Sequence, residues 1–68
     1  SDIKAKLQEI YDAMDSFDLD AADEAMKELS TYSVPDEIKQ DISRLRAYVA
    51  DVAMEDVMEL AQELIKKL

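Results

Sequence analysis

The sequence predicts an all-α fold, a four-helix up-down-up-down bundle made of two similar helical hairpins. Two patterns carry this reading. Ile3, Leu7, Ile10, Met14 and Phe17 fall at alternating steps of four and three, one stripe along a helix. Adding 35 to each number gives Ile38, Ile42, Leu45, Val49 and Val52, and every one is apolar. Past the stripe, Leu19, Ala22, Met26 and Leu29 map in the same way onto Met54, Val57, Ala61 and Leu64. The correspondence predicts that both halves have the same shape: a helix, a tight turn and a second helix. It does not require a duplication, because any two helical hairpins share such a frame.

Local chemistry sets the boundaries. The first helix is predicted from Asp2, whose charge suits the positive end of the helix dipole, to about Ser16. Phe17-Asp18 forms a turn, with Asp18 as N-cap of a second helix that runs to about Leu29. Ser30-Thr31-Tyr32-Ser33 is a break, rich in side chains that bond locally to the backbone. Ser33-Val34-Pro35-Asp36 opens the third helix, with Ser33 and Asp36 resembling a capping box and proline in the first turn. That helix runs to about Asp51. Val52-Ala53 is the second turn, and the fourth helix runs from Met54 to near the end, with Lys66 and Lys67 at its negative pole.

Short turns make consecutive helices antiparallel, and two hairpins face to face close the bundle. The predicted core is the set of stripe residues together with Ala25, Met58, Ile65 and Leu68. Leu60 falls off the stripe and is expected to be exposed or a self-association contact. Tyr11, Tyr32 and Tyr48 are expected at core edges, ring inward and hydroxyl outward. The whole of residues 1–68 reads as one helical domain, hairpin 2–30 followed by hairpin 34–68, and it can be a piece of a longer multidomain chain.

Composition narrows the chemistry. A chain of 68 residues with 49 % hydrophobic and 37 % charged residues has a folding composition. A core of this size supplies only about 3–5 kcal/mol. With no cysteine, no disulfide or thiolate–metal staple adds to it. Glycine is absent, which argues against phosphate-cradling loops and nucleotide fingerprints. Histidine is absent too, removing the commonest general base and zinc ligand. A net charge of −9 argues against nucleic acid and anionic lipid as partners and favours basic ones. No apolar run approaches the roughly 18 residues of a membrane span.

The segment "MDSFDLDAADEAMKEL", Met14 to Leu29, concentrates acids. As an EF-hand loop starting at Asp18 it fails, since Ala22 stands at position 5, Asp23 at the glycine position and Leu29 at the bidentate glutamate position. Asp12, Asp15, Asp23 and Glu24 fall on polar helix faces and read as solvated. Lys27 follows Asp23 and Glu24 at helical pairing distance, an exposed contact worth about 0.2–0.5 kcal/mol. Met14, Met26, Met54 and Met58 occupy stripe positions and read as core filler. Lys39, Arg44 and Arg46 make the third helix the least acidic and are expected to balance acids on a neighbouring helix, with a small anion or partner contact as the alternative. The counterpart segment, Val49 to Leu64, forms its turn without Asp18 or Asp20. Asp15, Asp20 and Asp23 are therefore surplus to turn geometry, and they are the candidate docking surface for a basic partner. No catalytic, cofactor-binding or metal-binding residue is assigned.

"FDLDAADEAMKEL" and "LRAYVADVAMEDVMELAQEL" resemble pieces of histidine-phosphotransfer (HPt) domains, the four-helix modules of bacterial phosphorelays. Aligned on Asp18 and Leu29, Lys27 stands at the phosphohistidine position, Ser30 at the following lysine and Thr31 at the glycine. The resemblance implies a helical bundle in a cytoplasmic bacterial signalling protein, a hybrid sensor kinase or response regulator. Without the histidine it implies no phosphotransfer. The chain is also similar to tetratricopeptide hairpins: its period is close, and Leu19, Ala22 and Met26 match their second helix. There Ile10 stands in place of a small glycine and Pro35 is displaced by about one residue. The resulting expectation is a non-catalytic interaction or regulatory module with no cofactor. The alternative is a structural or dimerising hairpin module, for which a homodimer is a compatible arrangement.

Overall fold

The computed structural model describes residues 2–68, so Ser1 of the expected domain lies outside the described residues. Four helices follow one another: α1 (Asp2–Asp15), α2 (Leu19–Ser30), α3 (Asp36–Ala50) and α4 (Met54–Lys67). The bounds of α1, α2 and α4 lie within one residue of those expected, while α3 starts later than expected, at Asp36. They pack as a ring, α1 against α2 and α4, and α3 against α4 and α2. The body measures 29 × 18 × 18 Å. No helix among the described residues is long and apolar enough to cross a membrane.

Both tight turns are built alike. In the first, the Phe17 N–H donates to Met14 O at 3.0 Å and the Asp18 N–H to Ala13 O at 2.7 Å. In the second, the Val52 N–H donates to Val49 O at 3.1 Å and the Ala53 N–H to Tyr48 O at 2.9 Å. These paired bonds are the Schellman motif, which returns orphan carbonyls at a helix end to use. The motif needs one left-handed residue, here Phe17 (φ 58°) and Val52 (φ 56°). Glycine normally fills that place, and this chain has none. A bulky or β-branched residue there costs about 1–2 kcal/mol.

The left-handed turn also corrects the predicted core. Phe17 and Val52 were expected as the last rungs of their stripes, but they are 65 % and 42 % exposed. Each sits one residue past the point where the helical path ends, so its side chain leaves the stripe. Leu68, also expected in the core, follows the end of α4 and is exposed. Conversely Leu60 is buried, and so is Ala13, which the stripe omitted. Helices α1 and α4 each face two neighbours, and two neighbours require a wider apolar arc than one seam.

The remaining stripe holds. Leu7, Ile10, Met14, Leu29, Leu45, Val57 and Leu64 are fully buried, while Ile3, Leu19, Met54, Met58 and Ile65 pack half-buried against them. Tyr11, Tyr32 and Tyr48 are half-buried. The Tyr11 hydroxyl accepts from Gln62 at 3.4 Å, and Arg44 lies 5.8 Å from the Tyr48 ring centre. Among the described residues no polar or charged residue is buried.

The caps differ in kind. Asp18 caps α2 as expected, its carboxylate accepting the Ala21 N–H at 3.1 Å. At the far end of α2, Ser30 Oγ donates to Met26 O and Thr31 Oγ1 to Glu28 O. The expected Ser33–Asp36 capping box does not form. Pro35 takes the N-cap position with no side-chain bond. A residue before proline disfavours the helical region, so α3 starts only after Pro35 and Asp36 becomes its first residue.

Two outcomes follow. Val52→Gly and Phe17→Gly each relieve a strained backbone and are expected to stabilise the fold by about 1 kcal/mol, read as a higher urea midpoint. Leu45→Ala removes a fully buried side chain at a cost of about 2–5 kcal/mol, comparable to what a core this small provides. Its far-ultraviolet circular dichroism is expected to lose the cooperative thermal transition.

Candidate docking surfaces

Two grooves flank α2. The first lies between α1 and α2 and has a volume of about 420 Å³. Its base is Ala13, Ala21 and Ala25, and five carboxylates line it: Glu9, Asp12, Asp18, Glu24 and Glu28. The alanines let the two backbones lie close, and the acids stand at helical spacing on either side. One cation closes one end. Lys6 Nζ lies 2.7 Å from Glu9 and 3.2 Å from Glu28, tying α1 to α2. Hydrogen bonds to Glu9 and then Glu28 hold its ammonium above the ordinary lysine range. Toward the turn, Asp12 accepts from the neutral amide of Gln8 at 3.0 Å, and Asp18 is the α2 cap. That end of the groove is negative and opens beside the exposed Phe17.

The second groove lies between α2 and α3, with a volume of about 330 Å³. Met26, Val49 and Ala50 form its apolar part, and Asp23, Lys27, Ser30 and Arg46 its edges. Asp23 therefore belongs to a different face from the acidic groove. Asp15 and Asp20 are exposed beside the Phe17 turn and line neither groove. The three acids singled out in the sequence are thus not gathered into one site, whereas Glu9, Asp12, Asp18, Glu24 and Glu28 are. The signal for the latter was present, since Glu9 with Asp12 and Glu24 with Glu28 are helical neighbours on adjacent helices. It becomes visible only once α1 and α2 are laid side by side.

Other charges depart from expectation as well. Lys27 makes no ion pair with Asp23 or Glu24; besides Lys6–Glu9 in α1, the pairs within one helix are Lys39–Asp36 at 3.0 Å and Arg44–Asp41 at 3.3 Å, both in α3. Lys39, Arg44 and Arg46 make no direct ion pair with another helix, although Arg44 shares a groove with Asp56, Glu59 and Glu63 of α4. Cross-helix pairing on that side comes from Lys67, 3.2 Å from Asp41. Among the described residues no group of three or more histidine, cysteine or acidic side chains is arranged to hold a metal ion. No family model matches the chain, and no curated protein or solved structure matches it significantly.

The Lys6 bridge carries a pH signature. A folded-state value raised above the ordinary 10.5 means its contribution is full below that pH and is lost as pH rises through the folded value. The difference in melting temperature between the native chain and Lys6→Met is expected to stay constant from neutral pH to about 10 and to shrink above it. A constant difference into stronger alkali would assign the Lys6 effect to packing of its stem instead.

Proposed function

We propose that the chain is a non-catalytic helical module for protein–protein contact, whose α1–α2 face takes a basic segment of a partner protein. The observation that carries this reading is the groove lined by Glu9, Asp12, Asp18, Glu24 and Glu28, with Lys6 as the cation at one end. Asp15 and Asp20 extend the negative surface around Phe17, an exposed aromatic anchor at the groove's open end. The groove follows α2 for about 15 Å, the length of some ten helical residues. A short basic helix with small side chains between its cations fits that description.

In this reading the helices run up-down-up-down as two similar hairpins. Support comes from Lys6, early in α1, reaching Glu28, late in α2, and from Lys67, at the end of α4, reaching Asp41, early in α3. The two Schellman turns, 35 residues apart at Phe17 and Val52, support the likeness of the halves. The module is then an HPt-like bundle from a cytoplasmic bacterial signalling protein, with Lys27 where the phosphohistidine would stand. The matched turns also favour the second reading, a tetratricopeptide-like or dimerising hairpin module with a structural role.

A ten-residue Lys/Arg-rich helical peptide labelled for fluorescence anisotropy tests the docking face. Binding is expected to weaken with added salt and to fall by about tenfold or more in Asp12→Lys/Glu24→Lys. Binding indifferent to that double reversal, or no binding, would sink the proposal. Phosphoryl transfer from a phosphorylated receiver domain to this chain would refute its non-catalytic part.

A further inference from the structure

The side of α2 facing α3 carries a different order of charge. Asp20, Asp23, Lys27 and Ser30 follow at steps of three and four, one exposed stripe along the helix. Arg46 reaches over from α3, donating to Ser30 Oγ from Nη2 at 2.9 Å and from Nε at 3.2 Å. A long side chain is thereby fixed at the C-terminal end of α2. Along the helix the stripe runs negative, negative, positive, positive. Neither Lys27 nor Arg46 is paired with a carboxylate among the described residues. Beneath the charges, α2 and α3 pack more sparsely than any other neighbouring pair, and the groove floor is the buried Met26 and Val49 with Ala50 exposed beside them.

We propose that this face binds a second copy of the chain about a twofold axis, the two α2 helices lying antiparallel. The charge order selects that occupant. Reversed end to end, the stripe is its own complement: Asp23 of one copy meets Lys27 of the other, and Asp20 meets Arg46, each contact occurring twice. A basic foreign segment is repelled here by Lys27 and Arg46, so the face is distinct from the acidic groove and does not rest on that reading. With a net charge of −9, two copies repel over most of their surfaces, and a face with its own cations is where they can approach. Met26 and Val49 are themselves buried, so Ala50 is the exposed apolar residue of the groove and the charges carry the specificity.

Sedimentation equilibrium of the chain from about 10 μM to about 1 mM tests the proposal, in the range where small interfaces associate. A concentration-dependent dimer is expected. Asp23→Lys and Lys27→Asp are each expected to weaken it by about tenfold or more, since each change acts at both symmetric contacts. The exchanged double variant Asp23→Lys/Lys27→Asp should recover dimerisation. Asp23→Lys also makes the chain less negative, so simple charge repulsion would predict tighter association where the pairing predicts weaker. Both positions are exposed, and circular dichroism checks that each variant stays helical; Arg46→Glu, on the other helix, gives an independent loss. A monomer throughout, which would leave the face to another partner, overturns the proposal. So does a dimer unmoved by the single changes, or a loss that the double variant does not restore.

Discussion

Everything in this molecule depends on four apolar stripes covering one another. Helices of 12–15 residues are marginal in water on their own. No disulfide or buried ion pair supplements the packing among the described residues. The ring arrangement answers this constraint, because each helix gains two neighbours. The cost of closure appears at the two tight turns, where Phe17 and Val52 are forced into a backbone region that suits glycine. The chain accepts that strain because the Schellman bonds and the packing on either side hold the turns in place.

The same arrangement leaves no described ionisable group buried, so position on the surface differentiates them. On one side of α2, acids from two helices converge with a single lysine among them. On the other, an acid and two cations border an apolar strip. One short helix thus separates a strongly negative face from a nearly balanced one. The two proposed contacts rest on this asymmetry, one face attracting basic chains and the other complementary to itself.

Much of the helical layout was legible in the chain, and the reasons are specific. The step of three and four from Ile3 to Met14 reports a buried face whatever the neighbours are. Asp18 could be recognised as a cap because its role is settled within three residues. Phe17, Val52 and Leu60 could not be placed, since their burial depends on where a helix stops or how many helices it touches. The Ser33–Asp36 box failed because a nearer rule, the constraint that Pro35 puts on Val34, took precedence. The acidic groove was hidden for another reason. Its members come from two helices, and a scan along one segment weights Asp15, Asp20 and Asp23 by crowding instead of by direction.

The interior free of ionisable groups has a consequence for how such a chain can change over time. Because no described charge is buried, exchanging a surface acid for a base disturbs no internal partner. Substitutions on the outer faces can therefore change what the surface attracts without changing how the stripes pack. A lineage built on this scaffold would keep its outline long after its surface, and with it most of its sequence identity, had been rewritten.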